Sequence, residues 1–377
     1  MSDRYHYLDA ARGILMILGI VYHAARVYGD ASWVISDSAT SPLFDRAALL
    51  LTSFRMPAFF LMSGFFAART LDQYGPRVFL RKRLPRVLVP FLVTLVTFNV
   101  AQLYVLNLYT GGQPAGLAYL WSSALWGDFT SDRWISHLWF LVSLAYYFVA
   151  TAAGAALLRA RTRGHVLAGL VNRTTALLDR PVTCLMLWPL ANLAVLAAFS
   201  MVPILYVLRP IVSMEDVLRY FPYFAAGLLA FTNRRFYESM TRFHWGVVAL
   251  TAMVVLMLLG GQVPGRALGA RVAGAYVDFL WTWLAIYWVL VFFRTILDRP
   301  SRVTFTLADG AYTIYLFHHL TVILIAWSLL DIELPVFVKF AVVVAVTFAV
   351  TLGLHLFAIR KVPLLTFLFN GKSAGRA

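Results

Sequence analysis

The chain has 377 residues, of which 61% are hydrophobic and only 13% charged, with a mean hydropathy of +0.76. Soluble domains carry about twice that share of charge, and apolar stretches of about 20 residues recur along the whole length, so the composition excludes a water-soluble fold. The net charge of +15 does not indicate a nucleic-acid partner, because the basic residues gather in alternate connections rather than in one patch. The single cysteine, Cys184, excludes intrachain disulfides and thiolate metal clusters.

The pattern predicts an all-α, polytopic membrane protein of about ten transmembrane helices forming one domain over 1–377. The predicted spans are Leu8–Val27, Phe44–Ala68, Val87–Leu108, His137–Leu158, Leu185–Leu208, Val217–Phe231, Trp245–Gly260, Val272–Phe293, Ala308–Leu329 and Pro335–Phe357. The first is expected to be a retained span, since Asp9 and Arg12 interrupt it and no small-residue cleavage pattern follows. Pro189 and Pro203 make the fifth span irregular. Most of the 32 Lys and Arg, including Arg81–Arg86, Arg163, Arg173, Arg234, Arg235, Arg299 and Arg376, fall on one side if both termini are cytoplasmic. Orientation is read from that bias.

The first span holds Arg12 and His23, eleven residues apart. At about 100° per residue, that interval returns to the same helix face ~16 Å further along. Ionisable groups inside a membrane face a protein interior or a watery cavity, so the stacked pair marks a site that reaches across the bilayer. In the second span Arg55 lies close to mid-membrane and must pair or reach water, its partner being either a neighbouring carboxylate or a ligand. Ser63 and Gly64 offer small surfaces for close helix packing.

The run Arg81-Lys82-Arg83-Leu84-Pro85-Arg86 reads first as a topology signal and a surface for anionic lipid heads. Arg83 and Arg86 are also spaced to share a helix face, where paired guanidinium groups grip phosphates. The outer connection Tyr109–Ser136 is rich in Gly, Trp and Tyr, suited either to sugar stacking or to interfacial anchoring. His137 opens the fourth span at the depth predicted for His23. In the ninth span, Asp309 stands at the start, Tyr315 follows, and His318 and His319 lie near the midplane. Adjacent residues diverge by about 100°, so one of those two histidines is expected to face a common cavity. Asp278 is placed near the outer end of the eighth span. HExxH, Walker, Rossmann and GxSxG patterns are absent, and no metal site is expected.

Taken in order, these pieces resemble the membrane acyltransferase family 3. The marks are Arg12 and His23, Phe59-Phe60-x-x-Ser63-Gly64-Phe65, Arg83-x-x-Arg86, His137-Leu138-Trp139, and Ile314-Tyr315-Leu316-x-His318. Closer marks resemble its glucan-succinylating members: Ser53-Phe54-Arg55-Met56, Tyr223-Phe224-Ala225-Ala226-Gly227, the double His318-His319, and Phe367-Leu368-Phe369-Asn370-Gly371-Lys372. The acidic residues that often follow His-Leu-Trp in sugar O-acetylating members are missing, as 142–147 is uncharged, which leaves the carboxylate partner of the base unassigned.

The resemblance implies an enzyme of the bacterial inner membrane that moves an acyl group, succinyl first among candidates, from cytoplasmic acyl-CoA to hydroxyls of a periplasmic glucan. It implies His23 as the base with Arg12 on the same helix face, and Arg83, Arg86 and Arg55 as donor-binding residues. His137, His318, His319, Tyr315 and Asp309 are expected as support. Succinyl-CoA or another acyl-CoA is a donor substrate, with no permanently bound cofactor. Expected partners are membrane lipids, the glucan acceptor, glucan synthesis proteins and further copies of the chain, with no nucleic acid. Direct transfer and an acyl-histidine intermediate both remain open. The rival reading is a transporter or flippase for an anionic small molecule or glycan, against which no paired broken segments are seen.

Overall fold

The computed structural model describes residues 5–113, 116–129, 133–161, 180–202, 211–260 and 268–372. Arg163, Arg173, Pro203, Arg376 and the far end of the predicted fifth span lie outside the described residues, as do 114–115 and 130–132 of the connection Tyr109–Ser136. Among those described, every regular element is helical. They are α1 (His6–Tyr28), α2 (Pro42–Thr94), a π turn (Leu95–Asn99), α3 (Val100–Tyr109), a 3-10 turn (Gly116–Trp121), α4 (Ser123–Phe129), a second 3-10 turn (Ser136–Leu138) and α5 (Trp139–Arg161). Then follow α6 (Pro181–Met201), α7 (Met214–Thr232), α8 (Arg234–Thr241), α9 (Trp245–Leu259) and α10 (Leu268–Leu297). The chain closes with α11 (Arg302–Leu329), α12 (Val336–Leu354), a second π turn (His355–Ile359) and α13 (Pro363–Asn370).

Seven stretches among the described residues are long and apolar enough to cross a membrane, or eight if the bent pair α8 and α9 forms one span. The protein is a multi-pass membrane protein. The count differs from the expected ten for local reasons. The predicted second and third spans belong to one helical stretch, Pro42–Tyr109. The 53 residues of α2 alone would run about 80 Å, well over twice the ~30 Å hydrocarbon thickness. Its backbone breaks at Gly75, φ 73° and ψ 171°, directly before Pro76, which has no N–H to continue the ladder. The predicted sixth span is α7, which carries Glu215, Asp216 and Arg219 near its start. The predicted seventh corresponds to α9, only 15 residues long.

The chain packs as two compact units. The first comprises Met1–Ala11, Ser53–Arg81 and Tyr146–Pro300. Within it α2 and α7 meet backbone to backbone. A Cβ on Gly64 would overlap the Phe224 carbonyl, and one on Gly227 would overlap that of Leu61, so the small residues are what permit the approach. Several polar groups here are paired. Trp283 Nε1 donates to Asn192 Oδ1 (2.9 Å), Tyr147 donates to the Val217 carbonyl, and Arg294 pairs with Glu238 (2.9 Å).

The second unit comprises Arg12–Thr52, Lys82–Ala145 and Ser301–Ala377. It contains every predicted site residue except Arg55.

Candidate active site

In the second unit α1 packs on α11 through Gly13. A Cβ there would stand 3.0 Å from Leu307 and Ala308, so the two backbones come close only because residue 13 has no side chain. Beside it, Arg12 Nη2 donates to the Ala308 carbonyl at 3.4 Å. Eleven residues further along both helices, His23 meets His319, ring centroids 4.6 Å apart, and His318 at 5.1 Å. The helices therefore run parallel, with equal intervals between their two contacts. Arg12 and His23 face the same neighbour.

His23, His137, His318 and His319 form one buried cluster. His137 stacks on His319 (4.9 Å, planes 4° apart) and stands edge-on to His318 (5.3 Å). The expectation that one of His318 and His319 faces the common space is corrected: both touch His23 and His137. Rings lying inside the ~100° wedge between successive side chains reach both of them. The contacts also place His23 level with His318 and His319, where the sequence set one near a helix end and the others near the midplane.

The local supports fix tautomers. His318 Nδ1 donates to the Tyr315 carbonyl (2.7 Å), with the Ile314 carbonyl at 3.1 Å; carbonyls only accept, so Nε2 keeps its lone pair. His319 Nδ1 donates to Gln102 Oε1 at 2.7 Å, with the same consequence. The other end of that amide, Nε2, donates to Ser136 Oγ (3.2 Å). Ser136 has φ +48°, the only positive value for a non-glycine among the described residues, and it directly precedes His137. Asn99, in the first π turn, holds the approach to this strained residue by donating to the carbonyls of Trp134 (2.6 Å) and Ile135 (3.2 Å). Tyr315 donates its hydroxyl to the His137 carbonyl at 2.7 Å.

At the opposite end of the α1–α11 contact lie the guanidinium groups. Half-buried Arg83 is under like-charge repulsion from both Arg86 and Arg12, so the three form one cationic group. Tyr312 donates to the Arg86 carbonyl (2.9 Å). Gly371, φ +59°, lies so close to the Arg86 backbone that a Cβ would overlap it. Neighbouring guanidinium groups suit phosphate oxygens.

Asp309 does not support the histidine cluster. It starts from this cationic end, where its carboxylate meets His355 Nε2 (3.1 Å) and Lys372 Nζ (3.0 Å). His355 Nδ1 in turn meets Thr313 Oγ1 (2.9 Å). Arg55 is buried on the part of α2 that belongs to the first unit, and Asp278 is exposed on α10 of that unit. Among the described residues, no three His, Cys, Asp or Glu are arranged to hold a metal ion.

Gln102, Asn99, His355 and Trp33 were not singled out by the sequence. The first three carried one available signal, a polar side chain inside an otherwise apolar run. In the connection between α3 and α5, Tyr119 and Leu125 pack on Leu103 while Trp121 and Trp126 stand exposed, an arrangement compatible with either use expected of it.

A family profile described as an acyltransferase domain matches residues 5–356. The chain is 26% identical to the glucans biosynthesis protein C of Escherichia coli, both in strain K12 and in strain HS, over 98% of this chain and 95% of the relative. No solved structure matches.

Proposed function

We infer the reaction from one premise: the chain belongs to acyltransferase family 3. It transfers an acyl group, succinyl in our reading, from acyl-CoA at the cytoplasmic face of the bacterial inner membrane to a hydroxyl of a periplasmic glucan. The glucan is suggested by the name of the Escherichia coli relatives. The observation that carries the mechanism is the shared register of α1 and α11, with guanidinium groups at one contact and imidazoles at the other.

Arg83, Arg86 and Arg12 hold the nucleotide phosphates of the donor by charge-assisted hydrogen bonds. The acyl-bearing arm extends along the α1–α11 contact toward the histidines. His23, as neutral imidazole, takes the proton of the acceptor hydroxyl while its oxygen attacks the thioester carbonyl. The tetrahedral oxyanion is short-lived, and N–H or O–H donors in a dry site are worth several kcal/mol to it. On collapse the C–S bond breaks, the new ester remains on the sugar, and the proton passes from His23 to the departing thiolate. His318 and His319 line the other side of His23, and His137 with Tyr315 fixes their surroundings. Direct transfer needs no acyl-histidine.

Mass spectrometry of periplasmic glycans, comparing cells with wild-type and His23→Ala protein at matched membrane abundance, tests this reading. A mass increment present in the first and absent in the second identifies the group transferred. Identical glycans in both would refute the assignment.

A further inference from the structure

Between α1 and α2 the chain crosses residues 29–41, and this connection is pinned at many points. Asp37 N donates to the Val27 carbonyl (3.1 Å) and Ser41 N to that of Tyr28 (2.9 Å), which folds the segment back over the end of α1. The amides of Asp30 and Ala31 donate to the Asp45 carboxylate (2.6 and 3.4 Å), and Arg26 donates to the Ser32 carbonyl (3.1 Å). From α12, Lys339 Nζ reaches the Asp37 carboxylate at 2.7 Å, a pair whose side chains are 4% and 0% exposed. Lys339 also donates to the Leu330 carbonyl (3.1 Å).

A buried ion pair gives little net stability over apolar residues of the same size, but breaking it strands a charge, so this pair ties the connection to α12. In the same segment the Trp33 amide donates to Ser36 Oγ (3.2 Å). The indole lies 5.4 Å from the His23 ring and 5.2 Å from His319 by centroid, and it is half-buried. One part of it closes over the imidazoles, and the remainder stays accessible. This places a rigid, flat aromatic surface beside the proposed base, on a segment outside the helices.

We propose that Trp33 is the acceptor platform: the pyranose ring bearing the reacting hydroxyl lays its C–H face on the indole, which delivers that hydroxyl to His23. The inference rests on the acyl-transfer reading and adds the residue that recognises the acceptor. A neutral sugar suits the site, because an indole offers a broad apolar face while leaving the ring hydroxyls to water. Trp33 touches the substrate but takes no part in moving the proton.

The test uses the purified full chain with succinyl-CoA and a glucose oligosaccharide. Transfer is measured against oligosaccharide concentration, and release of free CoA by hydrolysis is measured without acceptor. Trp33→Phe is expected to transfer nearly as wild type. Trp33→Ala and Trp33→Leu are each expected to raise the acceptor KM about tenfold, the scale of one aromatic stack, with hydrolysis little changed. Leucine preserves an apolar cover without a flat face, and retained hydrolysis certifies a folded enzyme. The proposal is overturned if Trp33→Leu behaves as wild type, or if hydrolysis and kcat fall together at an unaltered acceptor KM, since Trp33 would then only shield the histidines. His23→Ala in the same assay separates the two levels. Full transfer by that variant removes the acyl-transfer mechanism itself, whereas a dead His23→Ala beside an unaffected Trp33→Ala removes only the platform.

Discussion

His137 and His319 stack face to face, ring centroids 4.9 Å apart and planes 4° from parallel. Gln102 organises both, gripping His319 directly and His137 through Ser136. Gln102→Leu removes both bonds and leaves buried polar groups to bear their desolvation, a loss of about 1–3 kcal/mol. It is expected to lower the melting temperature in detergent and to reduce kcat by more than it changes the donor KM. Gln102→Glu, which can still accept from His319 Nδ1, is expected to retain more activity than the leucine variant.

Ser136 stores backbone strain next to His137. A non-glycine held at positive φ costs about 1–3 kcal/mol, which glycine avoids. Ser136→Ala keeps the strain and loses the Gln102 bond, whereas Ser136→Gly loses the bond and relieves the strain. Thermal denaturation is expected to rank the glycine variant above the alanine variant. Both are expected to transfer more slowly than wild type, because His137 is no longer aimed.

At the cationic end, Gly371 is needed twice, for its positive φ and for its closeness to Arg86. Gly371→Ala is expected to displace the segment that follows α13 from the Arg86 backbone and to cost about 1–2 kcal/mol locally. Steady-state kinetics are expected to show a raised donor KM with the acceptor KM unmoved. A rise in the acceptor KM alone would place this segment elsewhere in the reaction.

The Lys339–Asp37 pair makes a separate stability prediction. Removing one partner strands a buried charge, so Lys339→Met is expected to destabilise the protein by about 3–5 kcal/mol. Lys339→Met with Asp37→Leu is expected to recover much of that loss. Thermal unfolding of the two single variants and the double variant in one detergent measures the coupling.

The histidines were legible in the sequence because titratable groups are conspicuous in apolar runs, and the Arg12–His23 register followed from helix geometry alone. What lay beyond reach was pairing between distant segments. Nothing near residue 102 announces residue 319, and Asp309 gives no local sign that His355 and Lys372 will claim it. The angular argument for His318 and His319 considered one helix, while the cluster is set by rings arriving from α1 and from the turn before α5. Span counting met a different obstacle. Hydropathy marks apolar stretches, but the backbone carries α2 through the basic run and breaks it at Gly75 instead.

The central claim is a division of labour along α1, donor held at the Arg12 end and chemistry done at the His23 end. Acyl-CoA affinity and single-turnover transfer, measured side by side on purified His23→Ala and Arg83→Ala proteins, test it most directly. The account predicts that His23→Ala binds donor as wild type yet transfers about 10²–10⁴-fold more slowly, while Arg83→Ala binds donor at least about tenfold more weakly. Wild-type transfer by the first, or wild-type donor affinity in the second, would contradict it.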